Sequence, residues 1–366
     1  MKTVLLVFGT RPEAVKMCPL VRELKRRGAF DVKVALTGQH REMLAPILDT
    51  FAVTPDYDLA VMREGQTLSH VTTAVLTGIE EVLCRARPHL VLVHGDTTTA
   101  FAATLAAFYR HTPVGHVEAG LRTYDLAAPF PEEFNRRAVG LLADLHFAPT
   151  PHAADNLLRE GVPPTSVFVT GNTVIDALRF TVSKDFSHPL LAAAGDDRLI
   201  LLTTHRRENL GSTMASMLRA IREELARHPR VRVICPVHKN PAVKEVVESV
   251  FRDCPTVLLT EPLNTVTFHN LLARCYLALT DSGGIQEEAS ALGIPTLILR
   301  NTTERPEGVA AGTLQMVGTD PHAIGKALRR LLEDEALHRA MAKAPCPFGD
   351  GNACVRIADV LESQLL

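Results

Sequence analysis

Short apolar runs alternate along the chain with segments of helical periodicity. The first run, TVLLVF, is followed by a pattern over residues 12–28 in which apolar side chains recur on one helical face and a glycine ends the pattern. Later apolar runs are DVKVALTG, HLVLVHGD, TPVGHVEAG, LHFAPT, SVFVTGN, RLILLTTH, VRVICPVH, TVLLT, CYLALTD and PTLILR. Helical patterns such as Thr98–Tyr109 and Glu132–Leu142 separate them. This alternation predicts an α/β fold with parallel sheets covered by helices on both faces.

The polar segment SKDFSHPLLAAAGDD, at residues 183–197, interrupts this rhythm. The chain has 366 residues, more than one hydrophobic core normally organises. We therefore predict two doubly wound, Rossmann-like domains of similar build, over residues 1–178 and 179–352. In open α/β sheets, ligands bind at the carboxyl ends of the strands, so an interdomain cleft between those ends is the expected site.

The composition limits which binding partners and which cellular compartment are expected. The formal net charge of −2 gives no basic excess, which argues against nucleic acid as a partner. No segment reaches the ~20 apolar residues of a membrane helix, and the first apolar run is too short for a signal-peptide core. Seven scattered cysteines without a C-x-x-C pair are typical of buried thiols in a reducing compartment. We expect a cytoplasmic protein with no membrane partner.

Charged and polar residues follow the predicted strands at many points. They are Arg11, His94, Asp96, Glu118, His205, Arg206, His238 and Asp281. Because the carboxyl ends of parallel strands meet at one edge of a sheet, we expect these distant segments to converge on one site.

The segment DSGGIQEEA directly follows a predicted strand. Gly283 and Gly284 at a helix start would let backbone N–H groups approach an anion, which the helix dipole also favours. Ser282 could cap this helix or donate its hydroxyl to the anion. The alternative is a tight strand-to-helix turn, which any α/β protein contains.

The same helix carries two adjacent glutamates. With Ile285, Ala289 and Leu292 as its buried stripe, helical geometry places Glu288 beside the stripe and Glu287 on the opposite side. Glu288 is therefore expected to be fixed, either to accept hydrogen bonds from a ribose diol or as a surface charge. Glu287 is expected to be a solvated charge.

Several cations near strand ends could neutralise a diphosphate. Arg11 and Lys16 surround the first strand-to-helix junction, although solvated helix residues are the alternative, and for Lys16 the stronger one. Arg305 lies in a loop with other charges, so mutual salt bridges compete with ligand binding.

Three carboxylates are candidates for proton transfer: Asp96 and Glu118 after strands, and Glu132 at a helix start. A carboxylate in a closed cleft can act as an acid or a base, but taken singly each of the three fits a helix cap or a salt bridge better. Arg122 and Arg136 could be their structural partners. His205 could bind or protonate a phosphate, or cap a helix.

Two cofactor classes lack their sequence patterns. The histidines near strand ends show no H-x-x-x-H or H-x-H spacing, so no metal is predicted. The run GDGNAC follows no strand, so no nicotinamide fingerprint is present and a redox role is not expected.

Many motifs in this order resemble those of the bacterial non-hydrolysing UDP-N-acetylglucosamine 2-epimerases. They are GTRPEAVKMCPL, TGQHREML, VLVHGDTTTA, GHVEAGLRT, PFPEEFNRR, GNTVIDAL, THRREN, PVHKNP, LTDSGGIQEEASALGIPTLILRNTTERPEG and PFGDGNAC. The resemblance spans the whole chain. It implies a glycosyltransferase-B-like fold, a homodimer, and reversible interconversion of UDP-GlcNAc and UDP-ManNAc without an added cofactor. It also implies that a C-terminal helix, at about residues 353–366, packs back on the first domain.

The resemblance also implies roles for residues. Asp96, Glu118 and Glu132 match the catalytic carboxylates, in an order of base and acid that stays open, and His205 matches a histidine at the diphosphate. The expected substrate-binding residues are Arg11, Lys16, Arg136, Phe268, Ser282, Gly283, Gly284, Glu288 and Arg305. Phe268, expected near the uracil, could equally belong to the helix core.

A second, allosteric UDP-GlcNAc site occurs in many bacterial members of this family. Gln39, Arg206 and His238 match its pattern. Glu42 and Gly65 stand where activated members have glutamine and arginine, and loss of a guanidinium weakens such a site. Allosteric activation therefore stays open.

The implied mechanism satisfies a chemical constraint. No carbonyl acidifies the hydrogen on C2 of the sugar, and no nicotinamide is expected to oxidise it. Elimination of UDP to 2-acetamidoglucal, followed by re-addition, avoids both problems. The alternatives are a hydrolysing epimerase, a glycosyltransferase of the same fold, and a silent nucleotide-sugar-binding protein, although binding alone would not require three carboxylates.

Overall fold

A computed structural model describes residues 1–38, 41–61, 63, 65–206 and 209–366, with the backbone alone described at 41–43. The strands are β1 (Lys2–Phe8), β2 (Phe30–Leu36), β3 (Tyr57–Asp58), β4 (Leu90–His94), β5 (Val114–Val117), β6 (Leu145–Ala148), β7 (Val167–Val169), β8 (Arg198–Thr203), β9 (Val231–Pro236), β10 (Val257–Thr260), β11 (Leu277–Thr280), β12 (Thr296–Ile298) and β13 (Leu314–Met316).

The helices are α1 (Arg11–Arg27), α2 (Arg41–Thr50), α3 (Leu68–Ala86), α4 (Thr98–Tyr109), α5 (Glu132–Leu142), α6 (Pro151–Arg159), α7 (Thr173–Thr181), α8 (Pro189–Ala194), α9 (Ser212–Leu225), α10 (Pro241–Phe251), α11 (Thr265–Leu272), α12 (Gly283–Ala291), α13 (Pro306–Ala311), α14 (Pro321–Glu333), α15 (Glu335–Ala342) and α16 (Ala353–Leu365). A single 3₁₀ turn covers Pro164–Ser166.

Two parallel sheets organise the described residues. The first has seven strands in the order β3-β2-β1-β4-β5-β6-β7, and the second has six in the order β10-β9-β8-β11-β12-β13. In each sheet the chain moves outward from a central strand in one direction and then in the other, which places helices on both faces. The doubly wound α/β class predicted from the alternating pattern is confirmed.

Burial on both faces explains the composition of the central strands. Residues 4–8 of β1 are apolar and fully buried, and so is nearly all of β4. Parallel strands covered on both faces lack the polar alternation of half-exposed strands. Their polar residues are therefore displaced to the carboxyl ends, where His94 of β4 pairs in register with Val117 of β5.

The chain divides into two compact units. Unit 1 consists of residues 1–180 and 348–366, and unit 2 of residues 181–347. Each unit has its own apolar core around its own sheet. Within unit 1, α16 packs against α1, and the Asp176 carboxylate accepts hydrogen bonds from the backbone N–H groups of Ala353 and Cys354 at the start of α16.

No helix within the described residues is long and apolar enough to cross a membrane.

Candidate active site

The turn from β1 into α1 is held by a buried glutamate. Thr10 caps α1, and the Glu13 carboxylate accepts from the backbone N–H groups of Gly9 at 3.0 Å and Thr10 at 2.7 Å. Its other oxygen accepts from the Thr97 hydroxyl at 2.6 Å. Glu13 thus joins the ends of β1 and β4 and places Arg11, the first residue of α1, at that edge. The T-x-x-E capping signature is visible in the sequence, but a capping box alone indicates a helix start and not a substrate site.

Glu118 follows β5 in an unusual backbone conformation. Its φ of +63° lies in the left-handed region, which a residue with a side chain adopts at an energetic cost and which is concentrated at functional sites. Its carboxylate is nearly buried and makes an ion pair with Lys16. The same oxygen accepts from Asn172 Nδ2 at 2.7 Å and lies 3.7 Å from His94 Nε2. The structure thus surrounds this predicted catalytic carboxylate with a cation, an amide and an imidazole.

The sequence favoured a solvated helix residue at Lys16, but the structure shows this lysine buried. The residue is only 6% exposed, and its ammonium group pairs with Glu118. A buried ammonium requires a counter-ion because desolvation disfavours a lone charge. Helical spacing does not show this pairing, because the partner is 102 residues away in sequence.

Asp96 follows β4, the strand adjacent to β5, and pairs with Arg136 of α5. Asn135 on the same helix donates to the Asp96 backbone carbonyl at 2.9 Å. Glu132 begins α5, one turn before Arg136. The structure therefore places Asp96 beside the helix that begins with Glu132.

The residue after Glu132 has a structural function. Glu133 is fully buried and accepts from the backbone N–H groups of residues 123 and 124 at 3.0 Å each, and it lies 3.4 Å from Arg136 Nη1. It therefore anchors the loop between β5 and α5. Arg122 is a structural residue as well, because it forms a bidentate ion pair with Glu160, at 2.8 and 2.7 Å.

Two buried histidines lie beside these strand ends. Burial lowers the pKa of His116 to about 3 and that of His146 to about 4, so both imidazoles are neutral near pH 7. Nε2 of the neutral His116 ring donates to the Gly95 carbonyl at 2.8 Å and thereby supports the turn that precedes Asp96.

In unit 2, a buried aspartate holds the loop after β8. Asp281 accepts from the backbone N–H groups of His205 at 3.0 Å and Arg206 at 2.9 Å, and from the Thr204 hydroxyl at 3.1 Å. Its carboxylate also lies 3.3 Å from His205 Nδ1. Asp281 therefore orients the predicted diphosphate histidine, whose ring stacks on that of His238 with centroids 5.4 Å apart.

The N-terminus of α12 has the features expected of an anion site. Ser282 is the N-cap residue, yet its side chain makes no capping hydrogen bond. A Cβ added to Gly283 would lie 2.6 Å from Arg305 Nη1, whereas one added to Gly284 would meet no protein atom within 4 Å. Gly283 therefore lies directly against the Arg305 guanidinium, and Gly284 leaves open space beside the first turn.

The prediction that Glu287 is a solvated charge is wrong. Glu287 is fully buried, and Arg305 Nε donates to its carboxylate at 2.7 Å. Arg305 also lies 3.6 Å from Glu304, which pairs with Arg300 at 3.1 Å. The loop from residue 300 to 305 covers the helix face that the predicted stripe left to solvent. The predicted salt bridges of this loop are present, and they hold the guanidinium of Arg305 in place.

Glu288 is partly buried and lies beside the buried His269. His269 Nε2 is 3.4 Å from the Glu288 carboxylate, and His269 Nδ1 is 2.7 Å from the Thr181 hydroxyl. Of the predicted stripe, Ala289 is fully buried, while Ile285 and Leu292 are partly buried. Phe268, next to His269 on α11, is partly buried against the core. Sequence reasoning did not find His269, because a lone histidine within a helical pattern carries no motif.

The residues matched to an allosteric site are only partly described. Gln39 lies outside the described residues. Arg206 Nε donates to the Asp281 backbone carbonyl at 3.3 Å, and His238 is exposed. Gly65 has φ +68°, a conformation that an arginine there would adopt only with strain. Among the described side chains, no group of three or more His, Cys, Asp or Glu is placed to hold a metal ion.

Two doubly wound parallel sheets in one chain are the architecture of the glycosyltransferase-B-like class. A family model described as UDP-N-acetylglucosamine 2-epimerase matches residues 22–362. The UDP-N-acetylglucosamine 2-epimerase of Bacillus subtilis is 53% identical over 358 residues, covering 98% of this chain and 94% of that protein. The chain belongs to the UDP-N-acetylglucosamine 2-epimerase family, so the family resemblance predicted from the motifs is confirmed.

Solved structures agree with this assignment. The UDP-GlcNAc 2-epimerase of Neisseria meningitidis, bound to UDP-GlcNAc, has a TM-score of 0.94 at 44% identity and covers 99% of this chain and 100% of that one. The enzyme of Methanocaldococcus jannaschii, in complex with UDP-GlcNAc and UDP, has a TM-score of 0.86 at 32% identity, covering 99% and 100%. The fold is therefore retained at much lower sequence identity.

Proposed function

We propose that this protein interconverts UDP-GlcNAc and UDP-ManNAc by inverting C2 of the sugar, without net hydrolysis. Family membership and the ligands bound to its structural relatives support this substrate. The observation that carries the chemistry is a pair of carboxylates, Asp96 and Glu118, at the ends of adjacent strands, each beside its own cation. Nucleotide binding alone would not require such a pair.

The proposed reaction has two balanced halves. A base removes the proton from C2 while the bond from C1 to the β-phosphate oxygen breaks, which gives UDP and 2-acetamidoglucal. The same phosphate oxygen then re-adds to C1, and C2 takes a proton on its opposite face. Two groups able to transfer protons are therefore needed, and no electron acceptor is required.

In this proposal, unit 1 acts on the sugar. Asp96, Glu118 and Glu132 are the candidates for the two proton transfers. Arg136 lies beside Asp96 and Lys16 beside Glu118, so each of these two carboxylates has its own counter-ion.

Unit 2 holds the nucleotide in this proposal. Backbone N–H groups at the start of α12, the Ser282 hydroxyl and the Arg305 guanidinium bind the diphosphate, which is the leaving group. Open space at Gly284 supports a close approach of phosphate to the helix. His205 donates to the diphosphate as well. Glu288 accepts from the ribose, and Phe268 contacts the uracil.

We also propose that the protein is a homodimer formed through unit 1. Phe108 and Tyr109 at the end of α4, and Leu141 at the end of α5, are 52%, 62% and 84% exposed. The two helices pack together, and such an apolar surface is typical of an interface. Light scattering should give the dimer mass for the native protein and the monomer mass for Leu141→Glu. A monomeric native protein would contradict this.

Incubation with UDP-GlcNAc in deuterated water tests the reaction. Epimerisation predicts deuterium at C2 and UDP-ManNAc without steady accumulation of free UDP. Stoichiometric release of UDP and ManNAc would instead indicate hydrolysis. An unchanged, unlabelled sugar would exclude both reactions.

The same assay tests the three carboxylates. Asp96→Asn, Glu118→Gln and Glu132→Gln should each lower turnover by about 10² or more, because general acid–base catalysis typically contributes 10²–10⁴. UDP affinity, measured by calorimetry, should stay near that of the native protein. Full activity in any one variant would remove that residue from the mechanism.

A further inference from the structure

The C-terminal segment PFGDGNAC has no part in the chemistry above, yet its glycines make close contacts. Gly349 has φ +127°, and a Cβ added there would lie 3.2 Å from the Gly171 Cα and 3.4 Å from the Asn172 nitrogen. The backbone carbonyl of Phe348 accepts from the Asn172 N–H at 2.7 Å. The segment of residues 348–352, which returns to unit 1, thus packs directly against the turn between β7 and α7.

Asn172, in that turn, has its side-chain amide held at both ends. The residue is buried, and its Oδ1 accepts from the backbone N–H of Val174 at 3.0 Å. The amide orientation is therefore assigned by this bond, which directs Nδ2 to the other side. There Nδ2 donates to Glu118 Oε2 at 2.7 Å.

Described side chains approach Glu118 from different parts of unit 1. Lys16 of α1 is a cation, His94 of β4 is a titratable imidazole, and Asn172 is a neutral donor. The direction of the amide is fixed by the bond from the Val174 backbone N–H to Oδ1, and the backbone N–H of Asn172 is itself bound to the Phe348 carbonyl. A lysine on a long, flexible side chain neutralises a carboxylate without fixing its orientation.

We propose that Asn172 is a positioning residue for Glu118, and that the returning segment of residues 348–352 holds Asn172 in place. This inference rests on the proposed function, because it gives Glu118 a role in proton transfer. A hydrogen bond to the ionised carboxylate stabilises that form and fixes one oxygen. The C-terminal return thereby contributes to the site without touching substrate.

Two substitutions test the role of Asn172. Asn172→Ala removes the donor, and the nearly isosteric Asn172→Asp places a second anion beside Glu118. Both disfavour the ionised carboxylate, so its titration should move to higher pH by about one unit or more. The titration is followed by ¹³C NMR of the Glu118 carboxyl carbon, assigned by its loss in Glu118→Gln. In the epimerase assay, the limb of the pH profile of kcat/KM that belongs to Glu118 should move in the same direction.

Asn156→Ala is the matched control. Asn156 is also buried in unit 1, but its Nδ2 donates to the Gly120 carbonyl at 3.0 Å rather than to a carboxylate. This variant should unfold at a lower temperature and leave the Glu118 titration unchanged.

Gly349→Ala, which crowds the return against Gly171, should shift the titration in the same direction as the Asn172 variants. Retained UDP binding shows that unit 2 is intact in each variant.

The outcomes separate this inference from the proposed function. An unchanged Glu118 titration in both Asn172 variants would overturn the positioning role, even if activity falls. An unchanged titration in Gly349→Ala would overturn the role of the return. A native protein that leaves UDP-GlcNAc unconverted would refute the proposed function alone, because the NMR titration does not depend on turnover.

Discussion

Buried acids connect segments that are distant in sequence at the edges of both sheets. Glu133 and Asp281 hold loop backbone, Glu13 joins two strand ends, and Glu287 holds a guanidinium. A buried carboxylate is tolerated only when its hydrogen bonds and charge are satisfied, so each one fixes the geometry of its partners. The residues proposed to touch substrate are therefore held by acids that do not touch it.

Glu287→Gln should show this for Arg305. The neutral amide leaves the buried guanidinium without its counter-ion at 2.7 Å, and breaking such a pair costs about 3 kcal/mol of stability. UDP affinity should fall by about tenfold or more, because Arg305 is no longer held over the first turn of α12. Urea unfolding and calorimetry with UDP measure the two effects.

Glu245→Ala provides the comparison, since Glu245 is an exposed glutamate on α10 of the same unit. It should change stability by less than about 0.5 kcal/mol and leave UDP affinity unaltered. If Glu287→Gln behaved like this control, the ion pair with Arg305 would have no role in binding.

Sequence reasoning identified which residues are polar at strand ends, but not which of them are buried. The helical projection of α12 predicts one buried stripe and a solvent-exposed opposite face. It therefore predicts wrongly that Glu287 is exposed. Lys16 was misjudged in the same way. Both errors arise because a period shows where apolar residues lie, whereas burial of a charge depends on a partner brought in by tertiary folding.

At the scale of elements, the first turn of α12 combines two glycines with different functions. Gly283 adjoins the Arg305 guanidinium, and Gly284 adjoins open space. Neither has a positive φ, so backbone conformation does not require glycine at either position. Packing against Arg305 accounts for Gly283. No protein atom accounts for Gly284, whose open space is consistent with the proposed ligand.

Alanine substitutions should separate these functions. Gly284→Ala should raise the thermal unfolding midpoint without UDP, since alanine favours a helix by up to about 1 kcal/mol over glycine, while UDP binding weakens. Gly283→Ala should lower the midpoint, because its Cβ would lie 2.6 Å from Arg305 Nη1. Differential scanning calorimetry with and without UDP measures both. Equal affinity for UDP in Gly284→Ala and the native protein would show that the open space is not used.

Regular elements were predicted best where local signals agree. The helices Thr98–Tyr109 and Glu132–Leu142 have the predicted bounds, and α1 is capped after Arg27 by Gly28 in the left-handed conformation that favours glycine. The short edge strands β3 and β13 were not predicted, because two or three residues are too few to show a period.

At the scale of the whole molecule, both sheets have the same strand order, 3-2-1-4-5-6, when the strands of each sheet are numbered along the chain. The first sheet has one further strand at its edge. Alternation of apolar runs was enough to predict this architecture. The partners of the C-terminal return could not be predicted from periodicity. They depend on Asp176 capping α16 and on glycines at 171 and 349 that approach each other across the fold.

Because of this connectivity, the two units should differ in their ability to fold as separate fragments. Unit 2 is one continuous stretch, residues 181–347, with its own sheet and core. Unit 1 includes residues 348–366, whose Phe348, Ile357 and Leu361 are fully buried. Removing three such side chains exposes apolar surface worth about 1.5–3 kcal/mol each, a large fraction of the stability of a domain.

We therefore expect a fragment of residues 181–347 to unfold cooperatively and to bind UDP, with no epimerase activity. A fragment of residues 1–180 should lack a cooperative transition until a peptide of residues 348–366 is added, because that peptide supplies Phe348 and the buried face of α16. Circular dichroism during heating, with a scrambled peptide as the control, measures this rescue. Cooperative unfolding of residues 1–180 alone would show that the return adds stability without being required for the fold, because the remaining core would then suffice to offset chain entropy.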